Sequence, residues 1–263
     1  MHFIIYFLIA LFATTSGAIA GIGGGIIIRP LLDILGDFDV RTISVLSSIT
    51  VLTMAFVSAG KQVAQKAKLK YEIVLPLAIG AAGGGVIGQI VFSQVVTALQ
   101  RGALVTALQN ALLLFLVATV FVYMKKRESI KSHNLRGLIP SMLVGLCLGI
   151  VSSFLGIGGG PINVALMIFL FSFDIKIATV CSIITILFSQ LANVLMVALH
   201  TGFGAFDLSM LLPMMIGAVA GGFIGAVLNK KMSARAVENC FNSMQLIVVL
   251  IATINIVTNL ISQ

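Results

Sequence analysis

The chain has 263 residues, 59% of them hydrophobic and 9% charged, with a mean hydropathy of +1.17. A soluble domain is about 45–50% apolar and about 25% charged, so this composition excludes a water-soluble catalytic module and calls for a lipid surround. The net charge of +8, from 16 Lys and Arg against 8 Asp and Glu, lies in short loops between apolar runs, as orientation in a bilayer requires, and does not point to nucleic acid.

Residues 1–21 mimic a secretory signal, an apolar run closing on Gly17-Ala18-Ile19-Ala20. No Lys or Arg precedes that run, and a similar segment recurs at 138–155, so it is read as a retained span. Residues 3–36 form one long apolar stretch interrupted by Gly21-Ile22-Gly23-Gly24-Gly25. Plainer spans follow at about 42–60, 73–97 and 102–124. A basic linker at about 125–136 leads to a second interrupted stretch, 138–172, and to spans at about 177–199, 208–228 and 236–261. At about 20 residues per span, this is an all-α polytopic membrane protein of 8 to 10 helices.

The chain is a duplication. Gly21-Ile22-Gly23-Gly24-Gly25 returns unchanged as Gly156-Ile157-Gly158-Gly159-Gly160, Asp39-Val40-Arg41 faces Asp174-Ile175-Lys176, and Ser47 and Thr50 face Ser182 and Thr185. Gly80, Gly84 and Gly88 are answered by Gly217, Gly221 and Gly225, spaced every fourth residue as in close helix packing. A single transporter domain, 1–263, is expected, with repeat 1 at about 1–124, a cytoplasmic linker at about 125–136 and repeat 2 at about 137–263.

Charge arbitrates the topology. If each interrupted stretch crosses once, Lys and Arg divide nine against six between the two faces; if each is a hairpin, thirteen against two. The second division fits the positive-inside rule better. It makes the halves inverted repeats with both termini outside, a common plan of secondary transporters, whose substrates bind near the midplane where broken helices meet.

Three adjacent glycines interrupt a helix, and irregular backbone at membrane depth is tolerated only in protein or along a cavity. Gly23, Gly24, Gly25, Gly158, Gly159 and Gly160 are therefore read as cavity walls, against the alternative that they only permit close packing. A helix starting after each break, with Pro161 in its first turn, would present free N–H groups to an anion. Polar residues within spans are the next candidates for substrate binding: the hydroxyls Ser47, Ser48, Thr50, Ser182 and Thr185, and the amides Asn163, Gln190 and Asn193. Arg29 is either a counter-charge for an anion or a partner of Asp33 four residues on. Cys147, Cys181 and Cys240 have no metal-like spacing, the three histidines are scattered, and no nucleophile and base pair lies in a span. Neither catalysis, a metal nor a cofactor is expected.

With the doubled GIGGG, the proline at Pro30, the Asp-hydrophobic-basic element and the hydroxyl-rich helix after it, the sequence resembles the sulfite exporter TauE/SafE family, also called the 4-toluene sulfonate uptake permease family. The resemblance covers almost the whole chain. It implies a multi-pass inner-membrane transporter of small sulfur-containing anions such as sulfite, thiosulfate or organosulfonates, with about eight spans, working by alternating access as the halves rock about a central site. An anion channel, or a carrier of another small organic anion, is the alternative. A coupling ion, proton or sodium, and a homodimer are open partners beside the anion and the bilayer. The sequence departs from the family pattern at Arg29, where an apolar residue is usual, and at Pro161, directly after the glycines.

Overall fold

The computed structural model describes residues 2–65, 70–100 and 102–261, with side chains as far as residue 255. Lys66, Lys68 and Arg101, which enter the charge comparison, lie outside the described residues. α1 (His2–Ala20) and α2 (Gly25–Leu35) flank the first GIGGG, and α3 (Val40–Ala64), α4 (Tyr71–Leu99) and α5 (Gly102–Lys126) follow. α6 (Leu138–Leu155) and α7 (Pro161–Phe171) flank the second, before α8 (Ile175–His200), α9 (Leu211–Lys231) and α10 (Ala234–Ile261). Eight of these, all except the 11-residue α2 and α7, are long and apolar enough to cross a membrane. The protein is an all-α, multi-pass membrane protein.

The repeated Asp-hydrophobic-basic element is a helix start. Asp39 accepts the Thr42 N–H at 3.1 Å, and Asp174 accepts the Lys176 and Ile177 N–H groups at 3.0 Å each. Each carboxylate satisfies donors that the first turn of α3 or α8 leaves orphaned, a cap that stabilises by about 1 kcal/mol. Immediately before them, Gly36 and Ser172 end the short helices in the left-handed conformation.

Each short helix returns to the neighbourhood where its long partner began. The Tyr6 hydroxyl on α1 donates to Asp37, just past α2, at 2.6 Å. In the second half the backbone N–H groups of His133 and Leu135, just before α6, donate to Phe169 and Leu170 near the end of α7, at 2.9 and 2.6 Å.

The two halves exchange arms. α6 packs along α4 and α1 along α9, while α3 and α8 cross in the middle and α5 lies against α10. The fourth-residue glycines make these contacts close. A Cβ at Gly80, Gly84 or Gly88 would meet carbonyls of Met142, Leu146 or Ile150 on α6, and one at Gly217 or Gly225 would meet carbonyls of Phe7 or Thr15 on α1. Small residues thus let backbones approach where lipid offers no hydrophobic drive for association. Outward faces carry Phe56, Phe115, Ile139, Leu199 and Leu212, all exposed and apolar, as a lipid-facing surface requires.

Candidate functional site

The two glycine loops meet at the middle of the molecule. A Cβ at Gly23 would stand 3.2 Å from the Gly158 carbonyl oxygen, and one at Gly25 would overlap the Ile157 carbonyl. Val51 of α3 and Ile186 of α8 flank the meeting point, Val51 against Gly23, Gly25 and Gly158, Ile186 against Gly23 and Gly159. Glycine is required by conformation as well as space at Gly24, with φ of 72°, and at Gly159, with φ of 134°. The helix begins one position later in the second half: Gly24 precedes α2, whereas Gly160 precedes α7 because Pro161, lacking an N–H, takes the first position.

Beside the second loop, and on the helices α3 and α8 that flank the junction, are buried polar side chains without partners. Gln190 is fully buried and neither end of its amide is hydrogen-bonded; the Ser47 hydroxyl and the Asn163 and Asn193 carbonyl oxygens are likewise unpartnered. The Asn193 amide donates to Ser48 at 3.1 Å, joining α8 to α3. Gln190 lies beside Gly158, and the Asn163 amide nitrogen beside Gly159. An unpaired buried polar group costs about 1–3 kcal/mol, so each of these has donor or acceptor capacity to spare.

Three hydroxyls expected in that set are otherwise engaged. Thr50 donates to the Leu46 carbonyl at 2.7 Å and Thr185 to the Cys181 carbonyl at 3.0 Å, each within its own helix. Ser182 reaches across the halves to donate to the Gly21 carbonyl at 2.6 Å. Their protons go to backbone carbonyls in this structure, and their oxygens remain able to accept.

The broken ends of α1 and α6 are capped by different chemistry. At α6, Arg29 donates to the Leu155 carbonyl at 2.7 Å and to the Gln109 side-chain oxygen, while the Gln109 amide donates to the Phe154 carbonyl at 2.6 Å. At α1, Asn229 donates to the Ile19 carbonyl at 2.6 Å and Ser182 holds Gly21. Both arrangements satisfy carbonyls that a helix end inside a membrane cannot leave bare. Arg29 is only 2% exposed, and its guanidinium turns to α6 and Gln109 rather than to Asp33. Asn229 carries no signal in the sequence, since it directly precedes Lys230-Lys231 and looks like the start of a loop.

Two clefts open at the ends of the short helices. One, about 500 Å³, is lined by Asp33, Phe38, Asp39, Arg41, Gln100 and Thr106; the other, about 460 Å³, by Tyr123, Arg127, Phe173, Asp174 and Glu238 among others. Phe38-Asp39-Val40 and Phe173-Asp174-Ile175, the same element of the two repeats, line both. Among the described residues, no group of three or more His, Cys, Asp or Glu side chains is placed to hold a metal ion.

Comparison with known proteins gives two results. The sequence pattern of the family described as sulfite exporter TauE/SafE matches residues 6–253. A probable membrane transporter protein of Bacillus subtilis (strain 168), YunE, is 27% identical over 264 residues, covering 90% of this chain and 92% of that protein. No solved structure matches.

Proposed function

The chain belongs to the sulfite exporter TauE/SafE family, and from that premise we propose that it carries a small sulfur anion by alternating access through the junction of its two glycine loops. It is a multi-pass membrane transporter of small sulfur anions, not an enzyme. The observation that carries the site is the pair of unpartnered buried amides, Gln190 beside Gly158 and Asn163 beside Gly159, with unpartnered Asn193 and Ser47 on the flanking helices α8 and α3.

Residues 1–124 and 137–263 are read as inverted repeats of one transporter domain, joined by a cytoplasmic linker. Support comes from the return of α2 beside the start of α1, and of α7 beside the start of α6. Each half then has three full crossings, an odd number, so the second enters from the opposite face and the basic loops collect in the cytoplasm. The two clefts become an outer and an inner mouth.

Within the junction, Gln190, Asn163 and Ser47 donate to the anion's oxygens, with Asn193 and Ser48 beside them. Gly23, Gly24, Gly25, Gly158, Gly159 and Gly160 keep the wall free of side chains, while Thr50, Thr185 and Ser182 hold its frame. Arg29, braced on α6, supplies positive charge at the edge. Because α1 is sealed to α9 and α6 to α4, the bodies that move are these exchanged pairs rather than the sequence halves.

The test is uptake of sulfite into proteoliposomes holding purified protein, with proton or sodium gradients imposed. Saturable flux that accumulates sulfite against its gradient, reduced in Gln190→Ala, supports the reading. Electrical conductance at channel rates, with no accumulation, replaces the carrier by an anion channel.

A further inference from the structure

Arg29 is the one charged side chain that is buried among the described residues, and its setting bears on which sulfur anions the junction accepts. The backbone adds almost no net charge there. Each loop joins the C-terminal end of one helix to the N-terminal start of the next, so ends worth roughly −0.5 and +0.5 of a charge lie together and cancel. Gln190, Asn163, Asn193, Ser47 and Ser48 are neutral. Arg29 stands at the start of the second loop, its guanidinium against Gly156 and next to Ser44, fixed by Leu155 and Gln109 and lying over the Phe92 ring at 5.7 Å. Of the five N–H donors of a guanidinium, those two hydrogen bonds leave the others uncommitted.

The groups packed around it do not titrate in a working range: Ser44 from α3, Phe92 from α4, Gln109 from α5, the Leu155 carbonyl from α6, and Asn255 of α10, which holds the neighbouring Pro30 carbonyl. The charged group acting on Arg29 is Asp33 of its own helix. Asp33 is partly buried, turns to Asn110 and lines the outer cleft, and among the described residues it makes no ion pair with Arg29. The guanidinium therefore stands at the junction bonded only to neutral groups, with no carboxylate in direct contact.

We infer that the junction selects singly charged sulfur oxyanions, hydrogen sulfite and monosulfonates, and rejects doubly charged ones such as sulfate, thiosulfate and the sulfite dianion. This rests on the central site proposed above. Desolvation grows with the square of the charge, so a dianion costs about four times what a monoanion does. A single cation attracts it only about twice as strongly. Neutral donors cannot cover that difference, and a bound dianion would also leave a net negative charge inside the membrane.

The test uses purified protein and three probes: methanesulfonate, a monoanion at every working pH; sulfate, a dianion throughout; and sulfite, titrated across its second ionisation. Calorimetric binding of methanesulfonate is expected to be independent of pH and at least about tenfold tighter than that of sulfate, a difference of about 1.4 kcal/mol. Sulfite affinity is expected to fall about tenfold per pH unit above that ionisation, tracking the hydrogen sulfite fraction. Arg29→Lys keeps the charge and should keep the order of preference. Arg29→Gln, shown folded by circular dichroism, should lose methanesulfonate binding. Sulfate or thiosulfate binding as tightly as methanesulfonate, or sulfite affinity flat across the titration, overturns the charge rule while leaving the site in place. No binding of any probe to folded wild-type protein overturns the site itself, and the rule with it.

Discussion

The first and second GIGGG loops have identical sequences and are held in unlike ways. The α1 end is closed by neutral groups, Asn229 and Ser182, both from the second half. The α6 end is closed by a cation and an amide, Arg29 and Gln109, both from the first. Where α2 has Arg29, the matching position of α7 is Val164, and where α7 has Asn163, α2 has Ile28. Duplication thus preserved the backbone plan while the chemistry drifted apart, and each half completes the loop of the other. A pseudo-symmetric frame can surround an asymmetric site, with positive charge entering from one side and free amides from the other.

The most severe way to break this comparison is to fill each loop. Gly24→Val and Gly159→Val both force a side chain into left-handed backbone, and a Cβ would lie 2.8 Å from the Ala13 carbonyl oxygen or 2.5 Å from an Ile186 carbon. Strain and overpacking together cost about 2–6 kcal/mol. Both variants should insert yet lose transport in proteoliposomes; normal flux in both would show that the loops do not wall the path.

Next in size are the caps. Arg29→Gln removes charged hydrogen bonds to a buried carbonyl and should lower stability by about 2–3 kcal/mol, against about 1–2 kcal/mol for Asn229→Ala. Unfolding in detergent measures both, and equal losses would mean that the charge adds nothing to holding α6.

The free and committed donors separate by a smaller margin. Gln190→Ala should raise the KM for sulfur anion about tenfold with little change in stability, since that amide has no partner to lose. Ser182→Ala should do the reverse, lowering stability by about 1 kcal/mol and leaving KM unchanged, because its proton already serves Gly21. Smallest in stability is Glu238→Gln, which opens the partly exposed pair with Arg127 at 2.8 Å in the inner cleft. A loss below about 1 kcal/mol is expected in detergent unfolding.

The helices were legible because apolar runs of this length have few other solutions in lipid, and the expected spans agree with the long helices to within a few residues at most ends. Gly80, Gly84 and Gly88 were legible as a packing face because fourth-residue spacing puts them on one side of α4. Asp39 and Asp174 stood out as a repeated element, although their capping role needs three-dimensional partners to see. The cap made by Arg29 was hidden: its acceptor is a backbone carbonyl 126 residues away, and every residue has a carbonyl. Asp33, at helical spacing, offered a more obvious partner that the guanidinium does not take. Among the hydroxyls, sequence gives residue type but not the direction of the proton, so Thr50 and Thr185 looked like donors while bonding their own helices.

The exchange of arms between the halves also sets an order of assembly. α6 is synthesised soon after α4, its packing partner, whereas α1 must wait for α9, from Leu11 to Gly217 along the chain. At about 5–20 residues per second, that interval is roughly 10–40 s. For most of it the first glycine loop lacks Ser182, and throughout it lacks Asn229, its carbonyls open to the insertion machinery or to lipid. The amino-terminal hairpin, first to be made, is the last part of the transporter to be finished.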